Sequence, residues 1–106
     1  MIDVTDEQMK IIRAILALWV PTAEVRVFGS RASGPARKHS DLDLAVAADQ
    51  KIDFSTMNRL REAFEDSELP FRVDVLDWNA ISDSFRKTIA DQCVVLRMEQ
   101  KNNGSC

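Results

Sequence analysis

The chain has little from which to build a disulfide framework or a thiol- or imidazole-based metal site. Its two cysteines, Cys93 and Cys106, and its single histidine, His39, stand at no metal-ligand spacing. That usage suits a reducing cytoplasm, and Cys93 reads as a small buried hydrophobe rather than a nucleophile. Long apolar runs are missing too. The longest, Ala14 to Val20, falls far short of the roughly 20 residues that span a bilayer, and no charged, apolar and small-residue triplet marks a signal peptide. Nor is there an excess of positive charge. A net charge of -3 gives no general pull on a polyanion, so stable nucleic-acid binding is not expected. Arg31, Arg37 and Lys38 form a small local basic patch at most.

What is present is the balance of an ordinary globular protein, with 45% hydrophobic and 29% charged residues in 106. That length suits a single domain over residues 1–106, with Lys101 to Cys106 as a frayed polar tail. Thr5 followed by Gln8 has the form of a capping box, and Met9, Ile12, Leu16 and Trp19 then recur at helical spacing until Pro21. Glu24 to Phe28 alternates around Val25 and Val27 as a strand does, and Gly29 stops it. Gly29 to Ser40 has no apolar period and reads as a loop. Asp41 to Ala47 alternates again as a second strand. Phe54, Met57, Leu60 and Phe64 share one face of a helix that starts near Asp53 or Ser55 and ends before Pro70. Phe71 to Leu76 makes a third strand, Ile81, Phe85 and Ile89 a short final helix, and Val94 to Leu96 an edge strand. The expected architecture is α+β: one small sheet with helices packed on one face.

The chemistry concentrates in three acids. Asp41 and Asp43 lie two apart on the second strand, so both carboxylates leave one face, separated by about 6.6 Å of backbone rise, while Leu42 and Leu44 point to the core. Taken alone, such a pair reads as solvent-facing. Asp74, however, interrupts Val73 and Val75 in another hydrophobic strand, where an uncompensated carboxylate is costly. A plain ion pair with Arg72 is the competing explanation for it. If the two strands are neighbours, three anions meet and repel unless a cation lies between them. Oxygen-only ligands favour Mg²⁺ or Mn²⁺. Upstream, Gly29 and Ser30 stand where a strand turns into a loop, with Gly34 beyond; glycine lets backbone N–H groups approach a phosphate, and Arg31, Arg37 or Lys38 could add charge. Asp77, beside Trp78, reads as a turn-forming acid outside the site.

Gly29-Ser30, an intervening stretch, then Asp41-Leu42-Asp43 resembles the signature of the DNA polymerase β nucleotidyltransferase superfamily. Gly-Ser-Arg-Ala-Ser-Gly with Ser-Asp-Leu-Asp-Leu looks like its minimal nucleotidyltransferase branch, and Val73-Asp74-Val75 falls where that branch has its third acid. The resemblance implies a nucleotidyltransferase fold on a small mixed sheet. It implies that Asp41 and Asp43 bind two Mg²⁺ ions (Mn²⁺ being possible), that Asp74 completes the metal site near the acceptor hydroxyl, and that Gly29 and Ser30, with Arg31 beside them, hold the phosphates of ATP. The implied reaction is in-line attack on the α-phosphorus with departure of pyrophosphate. Larger relatives carry a further domain, so a partner is expected to complete the pocket. The branch is similar to cytoplasmic antitoxins that assemble with a HEPN-type ribonuclease toxin and transfer AMP from ATP to a toxin tyrosine. Transfer to a small-molecule hydroxyl and inhibition by binding alone are the alternatives.

Overall fold

The computed structural model describes residues 2–33 and 40–96; Gly34, Arg37, Lys38 and the expected tail at 101–106 lie outside the described residues. The first helix, α1 (Asp6–Trp19), begins at the capping box. Thr5 Oγ1 accepts from the Gln8 amide, and the Gln8 side chain accepts from the Thr5 amide, so two otherwise orphaned donors are satisfied together. A chain reversal leads into β1 (Glu24–Phe28), a short helical turn α2 (Ser30–Ser33), then β2 (Leu42–Ala47). After α3 (Phe54–Glu65) come β3 (Val73–Asp77), a 3₁₀ turn at Trp78–Ala80, α4 (Asp83–Ala90) and β4 (Val94–Leu96).

The strands form one sheet in the order β3-β2-β1-β4. β1 pairs antiparallel with β2 and β4, whereas β2 and β3 are parallel, so the sheet is mixed. A parallel pair needs a crossover connection, and α3 supplies it. Alternation sends Val25, Val27, Leu42, Leu44, Val46 and Val75 to one face, where they are buried. Against that face pack Ile12 and Leu16 of α1 and Met57, Leu60 and Phe64 of α3, all within one apolar cluster. Helices on one face of a mixed sheet are therefore observed for α1 and α3. The closing helix adds something the apolar spacing did not specify. Phe85 of α4 meets Phe28 edge to face, and Trp78 covers Arg26; Phe28 and Arg26 alternate with Val25 and Val27, so α4 and the 3₁₀ turn reach the opposite face.

Several sequence expectations shift by small amounts. The segment after Gly29, expected as a loop, opens with the helical turn of α2. β2 starts at Leu42, one residue after Asp41, and the third strand runs Val73–Asp77 instead of starting at Phe71. Asp77 is a turn-forming acid as read: buried, it accepts from the Asn79 and Ile52 amides and so ties the 3₁₀ turn to the segment before α3. Cys93 is half-buried, where a buried small hydrophobe was expected. No helix among the described residues is long and apolar enough to cross a membrane.

Candidate active site

The acids gather at the end of the sheet where β1 finishes and β2 and β3 begin. Asp43 and Asp74 stand opposite each other in the parallel register, so their side chains leave the same face. Phe28 is the partner of Asp43 across the antiparallel pair, which brings the Gly29–Ser30 turn to the same place. Asp41 lies just before β2, beside the point where the Leu42 amide donates to the Arg72 carbonyl. Asp41, Asp43 and Asp74 are each partly exposed, whereas Leu42 and Leu44 between and beyond them are buried.

Gly29 has a reason to be glycine here. Its φ is +78°, in the left-handed region, and a Cβ at this position would run into the Asp43 carboxylate. The turn and the carboxylate therefore approach more closely than any side chain on residue 29 would permit. Ser30, next along, is exposed, so its hydroxyl is open to a ligand at the turn.

The local electrostatics follow from crowding. The Asp43 carboxyl is pushed above the usual carboxylate range, first by burial, then by repulsion from Asp74 and Asp41, with Arg72 opposing these effects. Arg72 is the counter-ion. It donates to Asp74 Oδ1 through Nη2 at 2.9 Å and through Nε at 3.2 Å, while Nε lies 3.9 Å from Asp41 Oδ2. This hydrogen bond, together with the charges of the three acids, holds the guanidinium proton more firmly than usual. Arg72 precedes Asp74 by two residues on an extended segment, so strand parity already put the two on one face.

Arg31, expected beside Gly29 and Ser30 at the phosphates, stands in the turn of α2. It is buried, donates from Nε to the Ser40 carbonyl and from Nη1 to the Asp3 carbonyl, and its guanidinium stacks 4.1 Å from the Phe71 ring centroid. These contacts fasten the start and end of the loop between β1 and β2 to the N-terminal segment, and thereby fix where Ser30 and Asp41 sit.

Beside the acids opens a cleft of about 570 Å³. Asp43, Asp74 and Arg72 form one wall, Phe28 and Phe85 another, and Arg61 with Glu65 closes the side along β3. Arg61 is spoken for, donating to the Val75 carbonyl. Sequence reasoning did not single out Phe28 or Phe85 as cleft residues. Their signal was faint: Phe28 is simply the strand residue before the glycine, and Phe85 an apolar position of a helix.

Carboxylate oxygens are the donors a hard divalent cation takes, and Arg72 offsets the repulsion at Asp43 only in part. Among the described residues, no three acidic, histidine or cysteine side chains stand close enough together to hold a metal. Arg72 holds Asp74 and Asp41 instead.

Comparison with known proteins agrees with this geometry. The "Polymerase beta, Nucleotidyltransferase" family matches residues 10–102. Over 100 residues the chain is 44% identical to the probable protein adenylyltransferase MntA of Haemophilus influenzae, covering 94% of this chain and 88% of that one. A crystal structure of a toxin–antitoxin with AMP-PNP superposes with a TM-score of 0.73 at 26% identity, covering 87% of this chain and 74% of the other. The MntA–HpeT toxin–antitoxin pair carrying two aspartate-to-glutamate substitutions has the same fold, with a TM-score of 0.72 at 24% identity and the same coverage. Glycine turn, paired aspartates, third acid and sheet order thus converge with sequence similarity along nearly the whole chain: it belongs to the polymerase β nucleotidyltransferase family.

Proposed function

We propose that this protein is a single-domain, Mg²⁺-dependent adenylyltransferase that moves AMP from ATP to a tyrosine hydroxyl of a HEPN-type ribonuclease toxin, and so acts as its antitoxin. The observation that carries the reading is the facing pair Asp43 and Asp74 beside the Gly29–Ser30 turn. Membership of a nucleotidyltransferase family and similarity to a probable protein adenylyltransferase support the reaction type. Likeness to a toxin–antitoxin structure with AMP-PNP supports the partner and the nucleotide. The chain has no tyrosine of its own, so a tyrosine acceptor has to come from elsewhere.

In this reading Gly29 admits the phosphates close to the backbone, and the Ser30 hydroxyl donates to one of them. Asp41, Asp43 and Asp74 would hold the divalent ions, which stabilise the entering and departing oxygens of an in-line displacement when bound. Asp74, on the cleft wall, orients the acceptor hydroxyl and takes its proton as the new O–P bond forms and pyrophosphate leaves with the bonding pair. Phe28 and Phe85 give the cleft an apolar wall against which a planar ring can lie.

The test is intact-mass analysis of the partner toxin after incubation with this chain, ATP and Mg²⁺. The expected result is a toxin mass increased by one or more AMP units, mapped to tyrosine. Asp41→Asn with Asp43→Asn should reduce transfer by at least about a thousandfold, because it removes charge stabilisation worth several kcal/mol in the transition state. An unmodified toxin that the double variant still neutralises fully would replace this reading with inhibition by binding alone.

A further inference from the structure

We propose that the outer side of β3 carries a docking groove for the acceptor polypeptide: an apolar side chain with acidic neighbours seats beside Phe54 while the acceptor hydroxyl reaches the cleft at Asp74. This rests on reading that cleft as the nucleotidyl-transfer site. Three features of the structure carry it.

The first is an aromatic ring that the core leaves uncovered. Phe54, Met57, Leu60 and Phe64 recur as one apolar stripe of α3, yet the last three are buried and Phe54, where the helix begins, is 78% exposed. The second is a second cavity, of about 370 Å³, walled by Ile52, Phe54, Met57, Leu76 and Ile81. Arg61 and Leu76 line both this cavity and the cleft of Asp43 and Asp74, so the two adjoin along β3. Among the described residues β3 is an edge strand, and no other strand covers its outer side. The third is charge. Lys51 and Arg61 line the cavity, both are exposed, and among the described residues neither is in an ion pair. The one acid on its wall, Asp77, is taken up by the Ile52 and Asn79 amides.

Asp74 and Asp77 stand at opposite ends of this path, roughly 10 Å apart at the rise of a strand. An extended polypeptide that presents a hydroxyl at Asp74 therefore brings a side chain about three residues away to the second cavity. An aromatic ring at the mouth of an apolar cavity is the kind of anchor that carries binding energy in protein interfaces. Two cations without acidic partners beside it match carboxylates flanking the incoming apolar residue and disfavour a basic segment. The chain has no tyrosine of its own, so the occupant is a segment of another protein that brings the acceptor with it.

The experiment measures binding of the partner toxin to the full chain by biolayer interferometry, and steady-state AMP transfer to it, for wild type, Phe54→Asp, Lys51→Glu and Leu18→Asp. Leu18, 70% exposed on α1, controls for an exposed apolar residue elsewhere. Phe54→Asp should weaken toxin binding at least about tenfold, the scale of a lost interface anchor. It should raise KM for the toxin by a similar factor, with kcat and the affinity for a non-hydrolysable ATP analogue unchanged. Lys51→Glu should weaken binding about three- to tenfold, and added salt should narrow its gap to wild type. Leu18→Asp should match wild type. All three side chains are exposed, so unchanged melting temperatures establish that a loss of binding is not a loss of fold. Wild-type affinity in both Phe54→Asp and Lys51→Glu, or an equal loss in Leu18→Asp, would overturn the groove. So would sedimentation showing a wild-type dimer that Phe54→Asp dissociates, since the occupant would then be a second copy of this chain. Failure of the transfer reading looks different. A toxin that binds through Phe54 and Lys51 without gaining AMP supports the groove and overturns the reaction, whereas one that gains AMP with the same KM from every variant supports the reaction and overturns the groove.

Discussion

The two faces of the sheet are built from alternating residues of the same strands and are used for different ends. On one face Val25, Val27, Leu42, Leu44, Val46 and Val75 are buried beneath α1 and α3, and every apolar group there adds to stability. On the other, Asp43 and Asp74 face each other, and burial, then repulsion from Asp74 and Asp41, pushes the Asp43 carboxyl above its usual range. Asp43 and Leu44 are chain neighbours, yet one spends stability and the other supplies it. A strand permits this because a single residue step changes the face. The crowded acids of one surface are carried by the apolar packing on the surface behind it.

The most direct way to sharpen the contrast is to cut into the apolar face. Leu44 is fully buried within the central strand. Leu44→Ala should destabilise the protein by about 2–5 kcal/mol, the sum of lost burial and the cavity left behind. The measurement is urea unfolding, with a lower midpoint at unchanged slope. A loss under about 1 kcal/mol would mean that the covered face is not where stability resides.

The junction of the two regions is Gly29, and its substitution should come next in size. Gly29→Ala forces an L side chain into left-handed backbone and drives a methyl group against the Asp43 carboxylate. The expected cost is about 1–3 kcal/mol in stability. Nucleotidyl transfer should fall at least tenfold on top of that, because the carboxylate has to move. Measuring both on one variant is decisive. Full stability with lost transfer would show that only the carboxylate shifted, and full activity would show that the close approach is dispensable.

Much of this arrangement is legible in the sequence, and the exceptions have physical causes. The Thr5–Gln8 box and the periods of α1 and α3 are local signals, and the structure follows them. The gathering of the acids follows from strand parity once β2 and β3 are neighbours, a pairing that alternation alone could not specify but the resemblance implied. For Arg31 the position in the turn suggested phosphate, and its contacts with Phe71 and with a carbonyl far away at Asp3 are ones that no local pattern encodes. The turn of α2 was missed because four residues are too few to display an apolar period. Phe85 and Ile89 announced a helix without saying which face of the sheet it would touch, since helical spacing gives the stripe and not its neighbour. Arg72 was weighed as a simple partner of Asp74. Its reach to Asp41 depends on the Leu42 amide meeting the Arg72 carbonyl, a register detail that only the sheet reveals.

The smallest effect tests the functional face by its sign. Burial and the neighbouring Asp74 and Asp41 raise the folded-state pKa of Asp43, so the folded protein binds that proton more tightly than the unfolded chain does. The stabilising contribution of the protonated form is thus fully present below the unfolded carboxylate pKa and is lost as pH rises through the elevated folded value. At neutral pH and without metal, ionised Asp43 is a net cost. Asp43→Asn should therefore raise the melting temperature at pH 7, by roughly 1–4 °C given the partial exposure of the site. The gain should shrink toward zero as acid protonates Asp43 in the parent protein. Added salt should also diminish it, because the repulsion being relieved is screened. A variant that melts lower than the parent at pH 7 would mean that Asp43 is a stabilising residue, and the division of labour between the two faces would not hold at the position where it is most sharply drawn.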